Sequence, residues 1–120
     1  MMAVNINNVE EVLESELKIT KEEAKLFVLL IFNGKLDKIK AARLLQWSID
    51  NTERVAKSLI NRGMIIDLAE TEYESLHPRF AITNRYRNRC EEDNITFKKN
   101  LRVDNIGILL EGPYNDARTK

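Results

Sequence analysis

Asp50 to Gly63, DNTERVAKSLINRG, reads as one amphipathic helix and decides how its neighbours are interpreted. Asp50 with Glu53 has the spacing of a capping box, Asp standing in for the usual Ser or Thr. Gly63 marks the stop, because only glycine enters the left-handed position after a helix without steric cost. Val55, Ala56, Leu59 and Ile60 recur at helical spacing as one apolar stripe. Asn51, Arg54, Lys57, Ser58, Asn61 and Arg62 make the opposite face, rich in hydrogen-bond donors. A second amphipathic run, Asp37 to Gln46, lies just upstream across Trp47-Ser48-Ile49. Two short helices with a tight connection, the second rich in donors, make the pattern of a helix-turn-helix.

Working outward on the N-terminal side, Asn5 to Leu17 predicts a short acidic helix with Val9, Val12, Leu13 and Leu17 on one face. Thr20-Lys21-Glu22-Glu23 is a capping box that opens the most hydrophobic helix of the chain, ending at Gly34. In the following helix Ile39, Ala42, Leu44 and Leu45 are expected on the buried side, with Trp47 as a packing anchor and not a base-stacking group. On the C-terminal side, Met64 to Leu68 and Tyr73 to Leu76 read as strands around the polar turn Ala69-Glu70-Thr71-Glu72. A helix-turn-helix followed by a hairpin is a winged helix. Pro78 suits the first turn of a further helix. Beyond it Phe80, Thr83, Tyr86 (or Arg87), Cys90, Asn94, Phe97, Leu101, Asp104 and Ile108 run at spacings of three and four. The thin seam with Phe80, Tyr86, Cys90, Phe97, Leu101 and Ile108 as its apolar members suits pairing with a symmetry mate. The expected fold class is therefore mainly α with a small β-hairpin. A winged helix-turn-helix domain with its N-terminal helix covers 1–78, and a helical dimerisation segment covers 79–112, as one helix or as two interrupted near 93–96. Gly112-Pro113 ends it, and 113–120 is expected to be a flexible tail.

Hydrophobic residues at 43% and charged residues at 32% fit a globular chain and exclude global disorder. The longest apolar run, Leu26 to Phe32, falls far short of the roughly 20 residues of a membrane span. MMAVNINNVEEVLE has neither a basic flank nor an apolar signal core, and the single Cys90 has no internal partner, so a cytoplasmic address without membrane contact is expected. Net charge is zero, yet it is unevenly distributed: −3 over 1–34, +4 over 35–62, −4 over 63–78, +4 over 79–102 and −1 over 103–120. A duplex selects local positive surface and not overall charge. The acidic hairpin, with Asp67, Glu70, Glu72 and Glu74, argues against phosphate contact there.

The segment KITKEEAKLFVLLIFNGKLDKIKAARLLQWSIDNTERVAKSLINRGMI resembles the DNA-binding domain of archaeal TrmB-like transcriptional regulators. The likeness rests on the opening Ile19 to Lys25, on Gly34, on the helix ending Ser58 to Ile65, and on strand, turn and strand leading to a Pro-containing helix start. It covers about residues 17–80. Two features depart from it: Gln46 and Ser48 stand where the family has Gly and Pro, and no room remains for the sugar-binding domain of larger members. The resemblance implies DNA binding and dimerisation, not sugar sensing, with Asn51, Arg54 and Lys57 presented to the major groove.

In that setting Asn51 pairs with adenine and Arg54 with guanine, each for roughly 1–3 kcal/mol of discrimination. Thr52 belongs to the same contact set, while Lys57, Lys38, Lys40 and Arg43 hold phosphates. Arg79, Arg85, Arg87 and Arg89 form a second basic cluster that either flanks DNA or pairs with the acidic N-terminal helix. No enzyme is expected: His77 reads as a turn residue, Cys90 as a small buried hydrophobe, and neither zinc spacing nor a phosphate-binding glycine loop occurs. The expectation is a homodimeric transcriptional regulator of double-stranded DNA without a cofactor, in reach of the transcription machinery. Its rival is a winged-helix module that binds protein and not DNA.

Overall fold

The computed structural model describes residues 5–69 and 71–119; Met1–Val4, Glu70 of the hairpin turn and Lys120 of the expected tail lie outside the described residues. The elements run α1 (Val9–Leu17), α2 (Lys21–Asn33), β1 (Leu36–Asp37), α3 (Lys38–Leu45), α4 (Ile49–Asn61), β2 (Ile65–Leu68), β3 (Glu72–Ser75), α5 (Pro78–Glu92) and α6 (Leu101–Arg118). The fold is mainly helical, with a small antiparallel sheet. That sheet has a strand the sequence reading lacked: β1 pairs with β3, giving the order β1-β3-β2. Two residues, Leu36 opposite Tyr73 and Asp37 opposite Glu72, are too few to show a period in sequence.

The capping box at Thr20 forms as expected: Glu23 N donates to Thr20 Oγ1 (3.1 Å) and Thr20 N to Glu23 Oε1 (2.8 Å). From that start α2 runs through the centre, burying Ala24, Leu26, Phe27, Leu30 and Ile31 against α1, α4, α6 and β3. It stops at Gly34 (φ 77°), and Gly63 (φ 76°) follows α4 in the same way, a region that disfavours any Cβ. Val9, Val12, Leu13 and Leu17 of α1 are all buried, as expected.

The C-terminal segment takes the second of its two expected forms, two antiparallel helices with a break over 93–100. It departs from expectation in its packing, because both helices enter the same core as α1 and α2. Tyr86 and Cys90, expected on a dimer seam, are buried inside the single chain together with Val103, Ile106 and Leu110. Nor does Gly112-Pro113 end the last helix: α6 continues to Arg118. Proline normally pushes the residue before it out of the helical region by clashing with its N–H and Cβ, but Gly112 has no Cβ. Tertiary contacts then hold the last turns. The Tyr114 ring meets His77 edge-on at 5.1 Å, and the Arg118 guanidinium lies 3.6 Å over the same ring while donating to Ser75 Oγ (3.1 Å).

Arg85 is the most deeply buried cation of the fold, 2% exposed. Its Nε donates to the Leu17 carbonyl (2.9 Å), its Nη2 to that of Lys18 (3.2 Å), and its Nη1 to Glu92 Oε2 (2.8 Å). A helix leaves its last carbonyls without partners, and here α5 supplies donors to the end of α1. Arg85→Ala should therefore cost about 2–3 kcal/mol, since it leaves the buried Leu17 carbonyl without its donor and empties a buried side-chain site, while the exposed Glu92 carboxylate returns to water. Urea unfolding followed by circular dichroism measures it.

Candidate nucleic-acid interface

The α3–α4 unit is built from local hydrogen bonds. Asp37 caps α3 by accepting from Lys40 N (2.7 Å). Gln46 then turns left-handed, φ 61° and ψ 39°, at a position where glycine meets no strain. Ser48 caps α4 by accepting from Asn51 N (3.0 Å), and its carbonyl takes the first helical bond from Thr52 N (3.0 Å). The expected Asp50–Glu53 box thus does not form. Asp50 lies inside the first turn, where its charge still favours the positive end of the helix. Gln46 thus adopts the conformation glycine would, and Ser48 is the cap.

Thr52 is not a surface contact residue. It is fully buried, and its hydroxyl donates back to the Ser48 carbonyl (2.9 Å). On α3 the expected burial holds for Ala42 and in part for Leu45, but Ala41 is buried as well, whereas Ile39 and Leu44 are 54% and 51% exposed. The helix is short enough to bury only its alanine face against α4 and α2.

Asn51 and Arg54 are tied to α2. Asn51 Nδ2 donates to Glu22 Oε2 (2.9 Å), Arg54 Nη2 donates to Glu22 Oε1 (3.2 Å), and Arg54 Nη2 also donates to Asn51 Oδ1 (2.6 Å). Each end of the Asn51 amide is therefore engaged once, so it holds Arg54 in place with one N–H and one lone pair left over. The Asn51 amide, opposed by partial burial and aided by the Arg54 guanidinium, keeps the Glu22 carboxyl below its ordinary range. Lys38 pairs with Glu53 (3.1 Å). Lys40, Arg43 and Lys57 are exposed and, among the described residues, bind no carboxylate. Lys38, Lys40 and Arg43 share with Ile39 and Thr71 the wall of an open groove of about 340 Å³ between α3 and the hairpin turn.

One turn deeper, Glu23 is 2% exposed. Its Oε2 accepts from Ser58 Oγ (2.6 Å) and Arg62 Nε (2.7 Å) while Oε1 serves the α2 cap. Burial pushes this carboxyl upward, but the bonds from Arg62, Ser58 and the Thr20 backbone outweigh it and leave it below its ordinary value. Glu22 and Glu23 were the residues sequence reasoning missed. The signal was present: a capping box uses one glutamate, and this chain has two at the position.

The second basic cluster is mostly internal. Arg85 caps α1, Arg89 pairs with Asp93 (3.1 Å), Arg79 approaches Glu111 (4.0 Å) and Arg87 lies 4.9 Å over the Phe97 ring. Of the expected seam, Phe80, Phe97, Leu101 and Ile108 are exposed, at 57%, 43%, 68% and 57%. Among the described residues no helix is long and apolar enough to cross a membrane, and no group of His, Cys, Asp or Glu is arranged to hold a metal ion. No family model, curated protein or solved structure matches this chain.

Two stability measurements test this geometry. Glu23→Gln should cost about 2 kcal/mol, the scale of a charge-assisted hydrogen bond lost from a buried site. The unfolded carboxyl titrates near 4.5 and the folded one lower, so its contribution is complete above that pH and is lost as pH falls through the folded value. The wild type should therefore lose more stability than the variant between neutral and acid pH in parallel urea titrations. Gln46→Gly should stabilise by about 0.5–1 kcal/mol, the relief of left-handed strain less the added chain entropy.

Proposed function

We propose that this chain is a winged helix-turn-helix protein that binds double-stranded DNA, with α4 in the major groove, and regulates transcription as a homodimer. The element order supports the reading: α2, β1, α3, α4, β2 and β3 follow one another as helix, strand, two helices and a hairpin whose return strand pairs with the first. The observation that carries it is the set of exposed cations on the two consecutive helices, Lys40 and Arg43 on α3 with Arg54 and Lys57 on α4. A helix presenting Arg at its N-terminal half reads base edges, and flanking Lys and Arg hold phosphates. Arg54 is the reading residue, since Nη2 alone is engaged and the Nε and Nη1 donors bind no partner among the described residues. Asn51 becomes its support, and Thr52 has no part. This agrees with the resemblance to TrmB-like regulators. Phe80, Leu101 and Ile108, exposed on α5 and α6, are the residues assigned to pairing with a second copy.

A second reading has its own support. Asp67 and Glu72 stand on the hairpin, and Ile39, Leu44 and Ile49 are exposed on the helices before it, a surface suited to binding protein. Salt separates the two. Counterion release makes log affinity for a duplex fall linearly with log salt, by about 0.9 per phosphate neutralised. Fluorescence anisotropy on a mixed-sequence duplex should show this slope. Alanine at Lys40, Arg43 and Lys57 together should flatten it by about two to three units. A wild type that ignores the duplex at low salt sinks the DNA reading in favour of the protein-binding one.

A further inference from the structure

Glu22 has no duty in the fold that Glu23 does not already perform. Glu23 alone completes the α2 cap and anchors α4, and both its oxygens are used. Glu22 instead reaches across to the exposed half of α4 and closes a ring with Asn51 and Arg54 through three hydrogen bonds. Its side chain is 43% exposed and that of Arg54 66%, so the ring lies at the surface and not in the core.

The ring does two things to Arg54. It engages Nη2, the nitrogen that both two-pronged edges of the guanidinium share, and leaves Nε and Nη1 as single donors. It also sets a carboxylate within 3.2 Å of the cation that would face the duplex. A phosphate approaching Arg54 then finds neither edge free for a bidentate clamp and comes close to a second anion, whereas an uncharged base acceptor, O6 or N7 of guanine, takes a single bond from Nη1 without that repulsion. We propose that Glu22, from outside the reading helix, is a specificity-determining residue that suppresses phosphate-only binding by Arg54 and holds it for a base edge. This rests on the DNA-binding reading above, and adds to it a named residue that sets the ratio of specific to non-specific binding.

The test is a double-mutant cycle of Glu22→Gln and Arg54→Ala, read by anisotropy on a mixed-sequence duplex of about 30 base pairs over a salt series. Gln keeps the size and an acceptor for the Asn51 amide but removes the charge. Glu22→Gln should bind the mixed duplex several-fold more tightly, with a log–log salt slope steeper by about one. That gain should vanish when Arg54 is Ala. Selection from a randomised duplex pool should give a flatter base preference for Glu22→Gln than for the wild type. Thermal melts of each variant confirm that the fold persists. A gain that survives in the Arg54→Ala background is generic charge removal and overturns the inference. So does an unchanged Glu22→Gln while Lys57→Ala weakens binding, an outcome that leaves DNA binding standing. Failure of wild type and Glu22→Gln alike to bind duplex at low salt overturns both.

Discussion

The Glu23 carboxylate is the constraint on which the arrangement of helices depends. It is almost wholly buried, so it must be charged among partners or not charged at all. Its two oxygens answer that demand in two directions. One closes the start of α2, and the other receives Ser58 and Arg62 from the last turns of α4. The register of the two helices follows, because a shift of one residue along either would strand a buried charge. With α4 fixed to α2, Glu22 is carried opposite Asn51 and Arg54, and the surface ring follows from the buried one.

Arg85 performs the matching task for α1, next to the Ser58 and Arg62 that bind Glu23. A guanidinium from α5 caps the end of α1 and so joins the C-terminal helices to the N-terminal one. Along with Tyr86, Cys90, Val103, Ile106 and Leu110, it makes α5 and α6 part of the central core. The exposed residues of the same helices, Phe80, Leu101 and Ile108, occupy the side turned away from that core.

Charge shows how far counting goes. The +4 of residues 35–62 is correct as arithmetic, but Arg54 and Arg62 are each met by a carboxylate from 1–34, and Lys38 by Glu53 within the block. What faces solvent unopposed, among the described residues, is Lys35, Lys40, Arg43 and Lys57. A charge sum over a segment cannot contain this, since the neutralising groups are distant in sequence and near in space.

The sequence by itself determined what depends on neighbours along the chain. The α2 capping box, the glycine stops at 34 and 63, the buried face of α1, the hairpin and the helix starting at Pro78 are all local decisions of sterics, hydrogen bonding and period. Only the tertiary structure decided what depends on partners. The two-residue β1 exists only because β3 lies beside it, and α6 passes Pro113 only because His77, Ser75 and Tyr114 hold its end. Tyr86 and Cys90 are core and not interface because α6 folds back over them. Asn51 is engaged because Glu22, distant in sequence, lies within hydrogen-bond reach. Spacing along a chain predicts which residues share a face; what that face meets is settled by packing, which no local pattern contains.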